Sequence, residues 1–191
     1  MRLGKGGQID RGQRISFRFD GHRYEGCVGD TLASALLAND IRLIGRSFKY
    51  HRPRGVLTAG SEEPNALVTL GQGAAQEPNL RATTLELHDG LEARSQNAWP
   101  SLDLDLLAIN DLAAPFLSAG FYYKTFMWPR AFWEKLYEPL IRRAAGLGAL
   151  SGQANTDRYA RAFAHCDLLV IGAGPAGLMA ALTAARAGAD V

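Results

Sequence analysis

The chain of 191 residues predicts an α+β domain, then a helical connector, then the first β–α unit of an α/β domain. Three observations carry this reading. Alternating apolar and polar residues flank Asp20-Gly21, a pair suited to a two-residue hairpin because both central positions need positive φ. A helix with an apolar stripe follows that hairpin, and further short strands follow the helix. Near the end, the apolar run 168–171 leads without a gap into Gly172-x-Gly174-x-x-Gly177 and an Ala-rich segment. That is the strand–turn–helix order of a parallel-sheet unit.

In chain order, residues 1–13 are rich in Gly and Arg and read as an irregular arm. Residues 14–97 hold the first domain. After the hairpin, Asp30 or Thr31 is placed to cap a helix running to about Asn39. Its Leu32, Ala35, Leu36 and Leu37 form one apolar stripe. Residues 41–44 and 66–70 read as strands, and Asp89-Gly90 marks a second hairpin with Leu85, Leu87 and Leu91 as apolar positions. Hairpin, helix, then strands is the order of a β-grasp, ferredoxin-like domain.

Residues 98–165 change character. Phe116, Phe121, Tyr122, Tyr123, Phe126, Trp128, Phe132, Trp133 and Tyr137 crowd one stretch. Pro129 is suited to open a helix there, Pro139 to kink it and Gly146 to stop it. The aromatic belt reads as a core welding two domains, with a subunit interface as the alternative. Residues 151–156 are a polar connector.

Residues 166–191 open a dinucleotide-binding (Rossmann) domain. The first glycine of the turn permits the sharp bend, the second lets backbone approach a pyrophosphate, and the third lets helix and strand pack closely. The diphosphate is expected on free N–H groups at the helix start, where the macrodipole favours negative charge. Pro175 fits the first turn, where its missing N–H is not needed. The ribose-holding acid is expected about 20 residues beyond the glycines. The sequence ends at Val191, so the expectation is the front part of a truncated Rossmann domain that binds a dinucleotide poorly by itself.

Composition excludes several classes. Hydrophobic content of 47% and charge of 21% suit a chain with a real core, and a net charge of +2 gives no argument for nucleic acid or a membrane surface. No run approaches the ~18 apolar residues of a membrane span, so a cytoplasmic location is expected. Cys27 and Cys166 are the two cysteines, too far apart in sequence for a disulfide framework or metal-site spacing. Arg46, Lys49, Arg52 and Arg54, interleaved with Phe48 and Tyr50, form a basic loop. It reads as a partner or cofactor contact, or as a solvated face. In a β-grasp ferredoxin this position carries [2Fe–2S] cysteines at C-x4-C-x2-C spacing; none occurs here, so no iron–sulfur cluster is expected. His22, His51, His88 and His165 share no catalytic or metal-ligand spacing. Glu62-Glu63 is a carboxylate pair in sequence only, since loop neighbours point apart. No catalytic residue is assigned.

Long runs then point to a family. Gly29-Asp-Thr-Leu-Ala-Ser-Ala-Leu-Leu-Ala-Asn39, Gly45-Arg-Ser-Phe-Lys-Tyr-His-Arg-Pro-Arg-Gly55, Glu63-Pro-Asn-Ala-Leu67, Phe121-Tyr-Tyr-Lys-Thr-Phe-Met-Trp-Pro129 and the Gly172 turn resemble the N-terminal part of the α subunits of heterotetrameric sarcosine oxidases. The resemblance implies oxidative demethylation of sarcosine to glycine, with FAD in the β subunit and FMN between α and β. Electrons pass to oxygen and give hydrogen peroxide, and tetrahydrofolate captures the one-carbon unit in a later domain. It implies NAD in this subunit, with FAD as the alternative at the turn, and β, γ and δ partners. Carried over residue by residue, the cofactor-binding set is Gly172, Ala173, Gly174, Pro175, Ala176 and Gly177. Subunits of hydrogen cyanide synthase and opine oxidases share the layout, but many keep the cluster cysteines.

Overall fold

The computed structural model describes residues 2–115, 119–120, 126, 128–155 and 157–191. The chain divides into two units, Met1–Asn155 and Thr156–Val191.

The first unit is built on a mixed sheet. β1 (Asp10–Phe19) and β2 (His22–Val28) pair antiparallel around Asp20 and Gly21, whose φ angles are +48° and +81°. This is the hairpin that Asp-Gly specifies. Ile15, Phe17 and Phe19 alternate onto the buried face of β1, as the period of two requires. β1 starts at Asp10, within the stretch whose composition suggests an irregular arm. Thr31 caps α1 (Leu32–Ala38) in a capping box with Ser34, which satisfies donors at both ends of the first turn. Leu32, Ala33, Ala35 and Leu36 face the sheet. Leu37, expected in that stripe, is 41% exposed.

Residues 41–44 do not form the expected strand. Ile44 is fully buried, but the local ladder is only β3 (Gly45–Arg46) against β4 (Pro53–Arg54). Apolarity there records burial rather than pairing, and Pro53 has no N–H to extend the ladder. Farther on come β5 (Leu67–Leu70), β6 (Glu77–Arg81) and β7 (Glu92–Ser95). The sheet order is β2-β1-β7-β5-β6, with β7 parallel to β1 and antiparallel to β5. The second hairpin is absent. Gly90 has φ of +76° and Leu91 N donates to His88 O at 3.2 Å, so the turn forms, yet Leu85 and Leu87 make no ladder with the residues after it. Leu85 O accepts from Leu32 N at 2.8 Å, and Leu87 N donates to Asp30 O at 2.9 Å. The apolar alternation of Leu85, Leu87 and Leu91 is core packing beside the start of α1.

The remainder of this unit is helical and irregular. A 3₁₀ segment, Leu106–Ala113, is capped by Asp105. Arg130–Phe132 (3₁₀), Trp133–Tyr137 (π) and α2 (Glu138–Ala144) form one helical path. The widened π turn precedes Pro139, whose ring and missing N–H forbid the ordinary i−4 bond. Gly146, at φ of +72°, follows the end of α2. The aromatic belt is not the expected core among the described residues: Trp128 is 82% exposed and Phe132 47%. Phe116, Phe121, Tyr122 and Tyr123 lie outside the described residues.

The second unit contains α3 (Pro175–Arg186). Residues 168–171 are not a strand; Leu169 and Ile171 are exposed. Asp190 O accepts from Asp167 N at 2.8 Å and from Leu168 N at 3.1 Å. An apolar run becomes a buried strand only with neighbours on both sides, and no such ladder forms among the described residues.

Candidate functional site

The glycine turn shows a helix start and a positive φ, without the strand expected before it. Gly172 sits at φ of +114°, where an L side chain is strained. Gly174 is the N-cap of α3 and Pro175 opens the helix. A Cβ on Gly177 would lie 2.0 Å from the Gly172 carbonyl oxygen, so the helix can approach the preceding chain only with glycine there. Around Gly172 and Gly174 a Cβ would meet nothing within 4 Å, so that side of the turn is open. The first-turn N–H groups of Ala176 and Gly177 have no partner inside a helix, and they stand where an anion gains from the dipole.

The basic loop divides its charges. The Arg46 guanidinium turns inward, donating to the Leu102 carbonyl and, at 3.0 Å, to the His51 carbonyl. It ties loop to connector rather than facing a ligand. Lys49 and Arg52 stand over the Tyr50 ring at 4.9 and 4.8 Å. Arg52 reaches Asp111 at 3.5 Å across solvent.

Sequence reasoning missed three buried polar groups. His51 is 2% exposed, and its Nδ1 lies 2.7 Å from Asp105 Oδ2. Asp105 Oδ1 also accepts from Trp99 N and Leu107 N, each at 3.1 Å, so the pair fastens the basic loop to the 3₁₀ segment. Asp30 receives both Arg2 guanidinium nitrogens at 2.7 and 2.6 Å, Ser34 Oγ at 2.7 Å and Cys27 N at 2.9 Å. Burial alone would raise its pKa; the Arg2, Ser34 and Cys27 donors outweigh that and hold it below the usual aspartate value. Glu62 is exposed and Glu63 is 1% exposed, so the two carboxylates do point apart. Glu63 accepts four backbone N–H groups. Burial pushes its pKa up, and the Thr58, Asn65, Leu57 and Ala66 donors win and hold it below the glutamate norm. The signal for these groups was faint: a single Asp before the helix, a single His, and one of two adjacent Glu residues in a loop.

Sheet and turn together define a class, a ferredoxin-like domain followed by the opening of a flavin-nucleotide-binding domain. A family profile described as a 2Fe-2S iron-sulfur cluster binding domain matches residues 12–98, and one described as an FAD binding domain matches residues 167–191. The particular likeness is to subunit alpha of sarcosine oxidase, and the resemblance read from the residues holds. The chain is 68% identical over 190 residues to that subunit of Rhizobium meliloti (strain 1021), covering 100% of this chain and 19% of the relative. It is 35% identical over 189 residues to the subunit of Corynebacterium sp. (strain U-96), covering 97% and 15%. For Corynebacterium sp. (strain P-1) the figures are 35% over 187 residues, 96% and 14%. The chain thus spans a fifth or less of the length of these relatives. A crystal structure of L-proline dehydrogenase from P. horikoshii superimposes with a TM-score of 0.37 at 27% identity, over 48% of this chain and 17% of that one. Among the described residues no helix is long and apolar enough to cross a membrane.

The residues present do not fit the cysteine-held cluster that the first profile's description names. Such a cluster takes four thiolates. Cys27 is buried on β2, Cys166 is exposed in the other unit, and no group of three or more potential metal ligands forms among the described residues. The glycine turn does fit a dinucleotide diphosphate, since its approach is open and its helix start is bare.

Proposed function

We propose that this chain is part of an oxidoreductase subunit of the sarcosine-oxidase alpha type, supplying scaffold, subunit contacts and a diphosphate-binding turn. The observation that carries the reading is the Gly172–Gly177 close approach at the start of α3, in a chain 68% identical to such a subunit along its whole length. The proposed ligand is NAD, held through Gly172, Ala173, Gly174, Pro175, Ala176 and Gly177. The match to an FAD-binding profile favours FAD as a second reading. A bound nicotinamide or flavin would supply hydride chemistry; these residues bind and orient it, and none is assigned to catalysis.

The whole enzyme, on this reading, oxidises sarcosine to glycine with oxygen, yields hydrogen peroxide and passes the one-carbon unit to tetrahydrofolate. FAD belongs to a β subunit, FMN to the α–β boundary, and γ and δ subunits complete a cytoplasmic assembly. Within this chain, residues 14–97 are the β-grasp scaffold, 98–165 the aromatic connector presented to partners, and 166–191 the nucleotide-binding start. No iron–sulfur cluster is part of the proposal. The rival reading, an electron-transfer subunit of the cyanide-synthase or opine-oxidase kind, requires the cluster that the cysteines do not fit.

Titration calorimetry with NAD and with FAD, on the chain and on Gly177→Val, tests the turn. The expected result is weak NAD binding that falls by about tenfold or more in the variant, with unchanged far-UV dichroism. Equal affinity in both proteins would refute the turn as the site, and tighter FAD than NAD binding would select the second reading.

A further inference from the structure

The loop 57–66 is organised around one negative charge. Glu63 Oε2 accepts from Leu57 N at 2.8 Å, Thr58 N at 2.6 Å and Thr58 Oγ1 at 3.3 Å. Its Oε1 accepts from Asn65 N at 2.8 Å and Ala66 N at 3.1 Å. Converging backbone N–H groups of this kind make the anion-binding nests that also serve phosphates and iron–sulfur clusters. The positions involved carry a pattern. Thr58, Glu63 and Ala66 stand at the plant-type x4, x2 cluster spacing, and the outer two donate to the carboxylate of the middle one. A fourth residue closes the loop from another segment: buried Thr83 donates its hydroxyl to Gly60 O at 2.7 Å. Its neighbour Ala82 donates N–H to Ala66 O at 2.9 Å. This loop lies one stretch beyond residues 46–54, where the sequence placed the cluster position.

We propose that Thr58, Glu63, Ala66 and Thr83 occupy the four cluster-ligand positions of this fold, and that the Glu63 carboxylate replaces the cluster as the anion that holds the loop. The inference rests on the cluster-free reading above. The physics favours a carboxylate. Four N–H groups converge on one carboxylate that is itself 1% exposed, and whatever part of them it shields from water must find acceptors or cost the fold their desolvation. An ionised carboxylate offers two oxygens with about four lone-pair sites and no competing donor. A glutamine would turn an N–H₂ toward the same donors. The lowered Glu63 pKa agrees with a charge kept in place by those bonds.

Two measurements on the chain decide it. In the first, the chain and its Thr58→Cys/Glu63→Cys/Ala66→Cys/Thr83→Cys variant are incubated anaerobically with ferric iron and sulfide, which with four thiolates supply the oxidised cluster without a further oxidant. The four-cysteine variant is expected to gain acid-labile sulfide, visible charge-transfer absorption and a paramagnetic signal on reduction, and the parent chain to gain none. In the second, amide hydrogen exchange compares Glu63→Ala and Glu63→Gln with the parent. Protection at Leu57, Thr58, Asn65 and Ala66 is expected to fall by about tenfold or more, the factor that follows from orphaning buried donors, while β1 and β7 keep theirs. A folded four-cysteine variant without cluster overturns the position assignment. Unchanged loop protection in Glu63→Ala overturns the carboxylate's role, and decides the matter if the four-cysteine variant does not fold. Cluster uptake by the parent chain overturns the cluster-free reading itself.

Discussion

Phe17 and Ile171 come from stretches that both read as strands next to a glycine-containing turn, one alternating and one continuously apolar. Their environments are opposite: Phe17 is 1% exposed and Ile171 is 90% exposed. Phe17 lies on a strand with a hydrogen-bonded neighbour on either side and a helix against its inner face. Among the described residues, 168–171 make one backbone hydrogen bond of this kind, Leu168 N to Asp190 O. Apolar patterning states that a segment gains by burial; it does not supply the ladder that buries it. Sheet membership is a property of distant partners, and among the described residues only the first region has them.

The largest expected effect tests that contrast directly. Phe17→Ala is expected to destabilise the first unit by about 3–5 kcal/mol, the range for a fully buried aromatic. Ile171→Ala is expected to change stability by no more than ~0.5 kcal/mol, as for an exposed site. Urea denaturation followed by tryptophan fluorescence and far-UV dichroism measures both. A cost for Ile171→Ala near that of Phe17→Ala would mean the second unit buries its apolar run in solution, and the contrast would fail.

A smaller effect separates the units by pH. Asp30 and Glu63, both in the first unit, have pKa values held below their usual ones. A carboxylate whose folded pKa lies below its unfolded value binds fewer protons when folded, so stability rises with pH across that interval. The contribution is complete above the unfolded values of about 4 and is lost as pH falls through the lower folded ones. Acid unfolding of the first unit is therefore expected to begin below about pH 4 and to flatten in Asp30→Asn and Glu63→Gln. Those variants should also lose about 1–3 kcal/mol at neutral pH, because the donors to one of the two oxygens then face an amide N–H₂. An unchanged acid limb in both variants would show that other groups govern it.

The β1–β2 hairpin, α1 and the Gly172 turn were legible because each is encoded locally. Asp20-Gly21 fixes a turn, Thr31 and Ser34 close a capping box, and a Cβ at position 177 would strike the Gly172 carbonyl. Failures came where the decisive partner is distant. Leu85 and Leu87 alternate like a strand, yet Leu85 O and Leu87 N bond to Leu32 and Asp30, more than fifty positions away, while Leu85 N turns back to Arg81. Glu63 was invisible as a centre because its donors are backbone groups, which carry no residue signature. His51 looked like part of a basic surface, and only the fold brings Asp105 to it. Phe132 and Trp133 looked like core because aromatic density reports apolar area without saying which surface receives it.

The smallest effect concerns the exposed helical path, which differs from the sheet in how its charges are used. Arg142 donates to Glu138 one turn away on α2, Nε lying 2.8 Å from the carboxylate, and the arginine side chain is 77% exposed. Such a pair keeps most of its hydration, and its Coulomb gain is offset by the entropy of holding two long side chains. Glu138→Gln is expected to cost no more than ~0.5 kcal/mol, and less still when salt is raised. Asp30→Asn, which leaves Arg2 without its acid beside the buried start of α1, is expected to cost several times more and to respond less to salt. Parallel denaturation of the two variants at low and high salt makes the comparison. Equal costs would mean that the Arg2–Asp30 contact is as solvated as the one on α2, and that burial does not distinguish the charges of the sheet from those of the helical path.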